Sequence, residues 1–314
     1  MNIDVNYHVP IMVDEILENL ITNPDGIYVD GTLGGGGHSS QILKNISKSA
    51  TLIGIDRDIE AIEHADTLCE AYPNFVCIHD NFHNIMGILT RFNISKIDGC
   101  LLDLGVSSHQ IDTEHRGFSY NVDAHLDMRM DTSQGITASE YLNIVDLKDF
   151  ETILYQYADE KWARRIAEKL GEFRKERPVQ STFDLVEIVD RAIPKKVRLA
   201  IKGHSAKRTF QAVRIAINDE IKPLQAALES IISALKSGGR LCVLTFHSIE
   251  DRIVKNYFKS LENPCTCPPK APICTCGKKP VGRCIIRKAM LPKENEAAEN
   301  IRSHSAKLRI FEKY

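Results

Sequence analysis

Ile11, Ile16, Leu17, Leu20 and Ile21 recur at helical spacing, which predicts an amphipathic helix over residues 11–21. A short apolar run at 27–29 ends in Asp30 and a glycine-rich loop, and residues 39–46 read as a second helix. Residues 52–55 form a strand pattern closed by Asp56, and a helix near 59–72 follows. The unit then repeats, with strands at 75–78 and 97–102 separated by a helix near 85–92. Short apolar strands alternating with helices predict an α/β fold built on a parallel sheet covered on both faces.

That period breaks after residue 105. Residues 106–208 hold no comparable strand pattern; 147–170 and 183–193 read as helical, joined by polar and charged segments. Alternation resumes with a helix over 223–235, a turn at Gly238 and Gly239, and a strand at 241–246. The pattern predicts one α/β domain in two parts, 1–105 and 209–314 with a Cys cluster at 265–276, interrupted by a helical insertion at 106–208 expected to be the substrate-recognition domain. Two edge strands are expected at 284–287 and 308–312.

The strand-to-helix junction at residues 30–38 (DGTLGGGGH) is the strongest local signal. Glycines let the backbone turn tightly and approach a ligand without a side chain intervening. The spacing is not that of a dinucleotide loop and lacks the Lys-Ser/Thr ending of a phosphate loop, so a cofactor without phosphates fits better. Asp56 closes the next strand about 20 residues on, where a carboxylate can accept hydrogen bonds from ribose hydroxyls. Asp58 reads as a helix cap. The third strand leads into Asp80 and Phe82 and the fourth ends in Asp103, all expected at one crevice because the carboxyl ends of parallel strands share it. Phe82 could pack on a purine face, and Asp80 or its neighbouring backbone could read the purine edge.

Composition changes the picture in two places. The formal charge of the 314-residue chain is only −2, so nucleic-acid contact has to come from local patches. Residues 191–214 supply one, with Arg191, Lys195, Lys196, Arg198, Lys202, Lys207, Arg208 and Arg214 and no Asp or Glu. Of the nine cysteines, Cys69, Cys77, Cys100 and Cys242 lie in or beside apolar runs. Cys265, Cys267, Cys274 and Cys276 are clustered: four thiolates could wrap a structural zinc, although Cys-x-Cys is tighter than the preferred spacing, and thiols in a loop or an oxidising pair remain alternatives. With no basic, apolar leader before residues 8–10 and no run of ~20 apolar residues, a cytoplasmic protein without membrane attachment is expected.

Taken in order, residues 30–38, 54–58 (GIDRD), 103–110 (DLGVSSHQ), 116–119 (RGFS), 126–130 (LDMRM), 208–220, 246–252 (FHSIEDR) and 305–309 (SAKLR), with His8 near the start, resemble the family of ribosomal small-subunit RNA methyltransferases that methylate N4 of a cytosine in the decoding centre. The resemblance spans nearly the whole chain. It implies a class I methyltransferase (Rossmann-like) sheet with a helical insertion, S-adenosylmethionine as methyl donor, and small-subunit (16S) ribosomal RNA or the 30S subunit as partner. It leaves the oligomeric state open. Carried over residue by residue, it implies cofactor contacts at Gly36, Gly37, His38, Asp56, Phe82, Asp103 and Gln110, with Asp103 also the catalytic candidate. Arg116, Phe118, Arg129, Lys207, Arg208, Arg214, Asn218, His247 and Ser248 are candidates for holding RNA or the target base. Ile301, His304 and Ala124-His125 depart from the family pattern. A DNA amine methyltransferase and a noncatalytic RNA-binding assembly module are the rival functions; the acidic residues at several strand ends weigh against the latter.

Overall fold

The computed structural model describes residues 10–268, 273 and 275–314. The chain divides into two compact units, residues 1–105 with 223–314, and residues 106–222. The first unit carries a seven-stranded sheet of order β3-β2-β1-β4-β5-β7-β6. Its strands are β1 (Ile27–Asp30), β2 (Thr51–Asp56), β3 (Phe75–His79), β4 (Ile97–Asp103), β5 (Leu235–Thr245), β6 (Gly282–Cys284) and β7 (Lys307–Lys313). The first five are parallel, and β7 runs antiparallel to both β5 and β6.

Alternation along the strands divides the core. Val29, Ile53, Ile55, Cys100, Leu102, Leu241 and Val243 belong to one buried cluster, and Tyr28, Leu52, Leu101, Cys242 and Leu244 to another. Because successive strand residues point to opposite faces, these clusters are the two sides of the sheet. The helices Ile85–Arg91, Leu224–Ala234 and Ser248–Glu262 supply Ile88, Leu228 and Phe258 to the first side. Val13–Leu20, Gly37–Asn45 and Ile59–Ala71 supply Ile16, Ile42 and Leu68 to the second. Two-sided cover is why the strands read as near-continuous apolar runs.

Register fixes the functional edge. Asp30 pairs with Gly54 on one side and Leu101 on the other, Asp56 with His79, and Asp103 with Leu244. The strand order reverses between β1 and β4, the position where open α/β sheets open a crevice at their carboxyl ends.

The helical unit has its own core, with Phe150, Leu154, Ile166, Leu170, Phe173, Leu185, Ile188, Phe210 and Val213 buried together. Reciprocal capping boxes start the helices Ala138–Ile144 (Thr137 with Glu140) and Thr182–Ala192 (Ser181 with Asp184). The helix expected over 147–170 is broken into Leu147–Ala158 and Ala163–Glu176. Asp159 takes a left-handed conformation there and Glu160 accepts the Trp162 N–H. The expected boundary after residue 208 is corrected: it cuts the helix Lys207–Asn218, whose Phe210, Ala212, Val213 and Ile215 are buried in the helical cluster, so this unit runs to Lys222. Two strand expectations also shift. Gly238 and Gly239 lie within β5, where the register to β4 slips, and the first edge strand is Gly282–Cys284. No helix among the described residues is long and apolar enough to cross a membrane.

Candidate active site

Three carboxylates stand at the carboxyl ends of β1, β2 and β4. Asp30, 1% exposed, accepts hydrogen bonds from Ser39 Oγ at 2.7 Å and from the Thr32 N–H at 3.2 Å. Burial pushes its carboxyl up, against the Ser39 hydrogen bond. Asp56 organises the glycine loop: Oδ2 accepts the Gly34 N–H at 2.7 Å and Oδ1 the Asp58 N–H at 2.9 Å. Burial pushes the Asp56 carboxyl up to about 6; the two backbone bonds oppose this, and the charges of Asp58 and Asp30 add to it. Asp58 in turn caps Ile59–Ala71 by accepting the Glu60 N–H.

Between these acids the loop requires glycine at two places. Gly34 and Gly36 have φ of 48° and 71°, and a Cβ on Gly36 would lie 2.6 Å from Leu68 Cδ1. The next helix begins at Gly37, so His38 falls in its first turn and is held nearly buried.

Asp103 meets this loop from β4. Its N–H donates to Thr32 Oγ1 at 2.6 Å, and its Oδ2 lies 3.5 Å from His38 Nε2. Asp103 Oδ1 and His38 Nε2 are both buried without a hydrogen-bond partner among the described residues. Native proteins rarely leave such atoms unmet, because each costs ~1–3 kcal/mol. An acceptor held open beside two further carboxylates suits a cationic or amine N–H donor. The methionine end of S-adenosylmethionine carries an ammonium and a sulfonium, so this residue set fits the cofactor that the resemblance implies.

Phe82 lies in a short turn after β3, half-buried, with its ring 4.3 Å edge-on from His83. Asp80 is engaged elsewhere: its carboxylate accepts from the Asn81 N–H, Asn84 Nδ2 and Arg91. Its side chain is therefore tied down in the β3 turn rather than held open for a purine edge.

In the helical unit, Gln110 is buried and its Oε1 accepts the Ser107 N–H in a capping box. Arg116 is 1% exposed, and its guanidinium donates to the carbonyls of Arg129 and Met130. Asn218 is buried, donating to the Met128 carbonyl at 2.8 Å and accepting the Met130 N–H at 2.7 Å. Phe118 is a core residue of this unit. Arg116, Phe118 and Asn218, candidates for holding RNA or the target base, are internal: Arg116 and Asn218 bond the 128–130 backbone, and Phe118 packs in the core of the helical unit. Arg129 is half-buried and bidentate to Asp127, and Arg214 bidentate to Glu220. In the basic segment Arg191 pairs with Glu176 and Glu187, and Arg198 with Asp190. Arg208 is exposed and donates to the Asp159 carbonyl. Lys195, Lys196, Lys202 and Lys207 are exposed and make no ion pair among the described residues.

Beyond β5, His247 is the N-cap of Ser248–Glu262, with Nε2 3.0 Å from Glu250 Oε1, while Ser248 is exposed in the first turn. The sulfurs of Cys265, Cys267 and Cys276 lie within 4.8 Å of one another. Cys274 and His8 fall outside the described residues.

The sequence reading did not single out Thr32 and Ser39, the residues that tie the loop to Asp103 and Asp30. Their signal was a hydroxyl two residues beyond a strand-end acid and another in the first turn of the following helix.

Residues 5–314 match the MraW methylase family. Proteins named ribosomal RNA small subunit methyltransferase H are similar over nearly the full length. The one from Lachnospira eligens is 48% identical over 98% of this chain and 97% of its own. That of Clostridium botulinum is 47% identical over 98% of each chain, and that of Caldicellulosiruptor bescii 47% identical over 98% of this chain and 99% of its own. With a full-length family match and relatives of this identity, the chain belongs to the MraW methylase family.

Proposed function

We propose that this chain transfers a methyl group from S-adenosylmethionine to the exocyclic N4 amine of a cytosine in the decoding centre of small-subunit ribosomal RNA. The observation that carries this reading is Asp103: a strand-end carboxylate at the reversal of strand order, with one buried oxygen lacking a donor. S-adenosylmethionine, when bound, supplies an electrophilic methyl carbon on a sulfonium. Gly36, Gly37, His38, Asp56, Phe82 and Asp103 would hold it, with Asp56 accepting from the ribose hydroxyls and Phe82 packing on the purine.

A cytosine amine is a weak nucleophile because its lone pair is conjugated with the ring. Asp103 Oδ1 accepts one of its N–H groups, turns the lone pair out of conjugation and takes up the proton as positive charge develops. His38, 3.5 Å from the other carboxylate oxygen, steadies that charge and the carboxylate's orientation. The base has to leave any stack to reach this depth. Lys195, Lys196, Lys202, Lys207 and Arg208, exposed on the helical unit, hold the RNA backbone through its phosphates. A cytoplasmic site of action is consistent with that substrate.

Nucleoside mass spectrometry of small-subunit ribosomal RNA from cells lacking this protein tests the reading. An N4-methylated cytosine should disappear, return with the wild-type gene, and stay absent with Asp103→Ala. Unchanged nucleosides in the deletion strain would move the search to DNA or to a noncatalytic role.

A further inference from the structure

The segment between Ser248–Glu262 and β6 has no part in the methyl-transfer site. Residues 263–281 form no helix or strand among the described residues, and none of those described is buried. Ile273 is 75% exposed. Yet the segment brings three sulfurs together. Cys265, Cys267 and Cys276 have Sγ atoms within 4.8 Å of one another, and Cys265 Sγ is 3.8 Å from Cys276 Sγ.

That separation excludes a disulfide and is compatible with a thiol–thiol contact or with two sulfurs sharing an ion. A disulfide would hold the two sulfurs ~2.05 Å apart. A tetrahedral ion with Zn–S bonds of ~2.3 Å holds its sulfurs ~3.8 Å apart. The Thr275 backbone N–H also donates to Cys267 Sγ at 3.3 Å, the kind of backbone donor that orients a metal-bound thiolate and spreads its charge. Lys278 and Lys279 follow directly and are exposed, placing positive charge beside a site of net negative charge.

We propose that Cys265, Cys267 and Cys276 bind a single zinc ion that closes this segment in place of a hydrophobic core. Binding converts three thiols to thiolates and releases their protons to solvent, with no redox change. Soft sulfur donors at tetrahedral spacing select zinc over magnesium or calcium. The ion is structural and lies outside the transfer chemistry. Cys274, in the same segment, lies outside the described residues.

The test uses the full chain, purified under reducing conditions without chelator and analysed for metals by plasma mass spectrometry. About one zinc per chain is expected, falling to below a tenth in the Cys265→Ser/Cys276→Ser double variant while S-adenosylhomocysteine affinity stays within twofold. Stripped protein reloaded with cobalt(II) should show the intense visible bands of a tetrahedral thiolate site. Trypsin should cut after Lys278 at least tenfold faster once the metal is removed. Substoichiometric zinc in the wild type, zinc content unchanged in the double variant, iron in place of zinc, or a Cys265–Cys276 disulfide in freshly isolated protein would each overturn the proposal.

Discussion

If Asp56 holds the cofactor as proposed, cofactor affinity depends on pH. Its carboxyl, pushed up to about 6 by burial, must be ionised to accept the ribose hydroxyls and to keep the Gly34 and Asp58 N–H groups bonded at 2.7 and 2.9 Å. If only the ionised form binds, the apparent dissociation constant is the intrinsic one divided by the ionised fraction. That fraction is ~0.99 at pH 8, ~0.5 at pH 6 and ~0.09 at pH 5, so affinity should fall about tenfold between pH 8 and pH 5. Calorimetric titration of S-adenosylhomocysteine at half-unit steps over this range measures the curve. His38 and the carboxylates of Asp30 and Asp58 stand around the loop, so the control is Asp56→Asn, which should bind more weakly at pH 8 and lose most of the slope. An affinity that stays flat to pH 5, or a slope that survives in Asp56→Asn, would refute the assignment of the titration to this carboxylate.

Other substitutions probe the framework. Asn218→Ala leaves the Met130 N–H and the Met128 carbonyl buried without their side-chain partner, costing ~2–4 kcal/mol and lowering the melting temperature by roughly 5–10 °C; a shift under ~1 °C would show that water replaces the amide. Gly117 has φ of 70° and a Cβ there would collide with the His125 carbonyl oxygen, so Gly117→Ala should cost at least ~1–3 kcal/mol in a chemical melt. Burial works against ionised Asp251, but Arg309 at 2.7 Å and Lys307 at 3.2 Å hold its carboxyl below the ordinary range. The stability it contributes is therefore present above pH ~4 and lost as pH falls through the lower folded value. Asp251→Asn should destabilise the protein most at pH 7 and progressively less as pH falls through the lowered folded value, and a loss independent of pH would exclude the ionic contribution.

What sequence could and could not reveal follows from the type of signal. Asp30, Asp56 and Asp103 were legible because each closes an apolar strand, and parallel strands bring their carboxyl ends to one edge whatever the loops between them do. Asp58 was legible as a cap because capping is decided within one turn. Arg116 and Asn218 were not, since a guanidinium turned inward onto carbonyls has the same sequence signature as one turned outward to phosphate. The partners that reveal the difference lie up to 90 residues away. The same limit misplaced the boundary at 208. The apolar stripe of Lys207–Asn218 shows that the helix packs on a core, not which core. In the basic segment, half of the charge is cancelled by Glu176, Glu187, Asp190 and Glu220, of which Glu187, four residues from Arg191, and Glu220, six from Arg214, were near enough in sequence to have hinted at their pairing.

The strand order has a consequence for synthesis. β4 lies between β1 and β5, yet β5 leaves the ribosome only after the whole of residues 106–222 has been made. For that interval the β4 edge that will pair with Leu241, Cys242 and Val243 is unpaired, a template for the wrong neighbour. The helical unit, whose core is drawn from one continuous stretch, can close during the same interval without waiting for anything downstream. Nascent chains stalled once residue 222 has cleared the exit tunnel should therefore carry a protease-resistant helical body beside an unfinished sheet that recruits chaperones, and emergence of Thr245 should end that dependence.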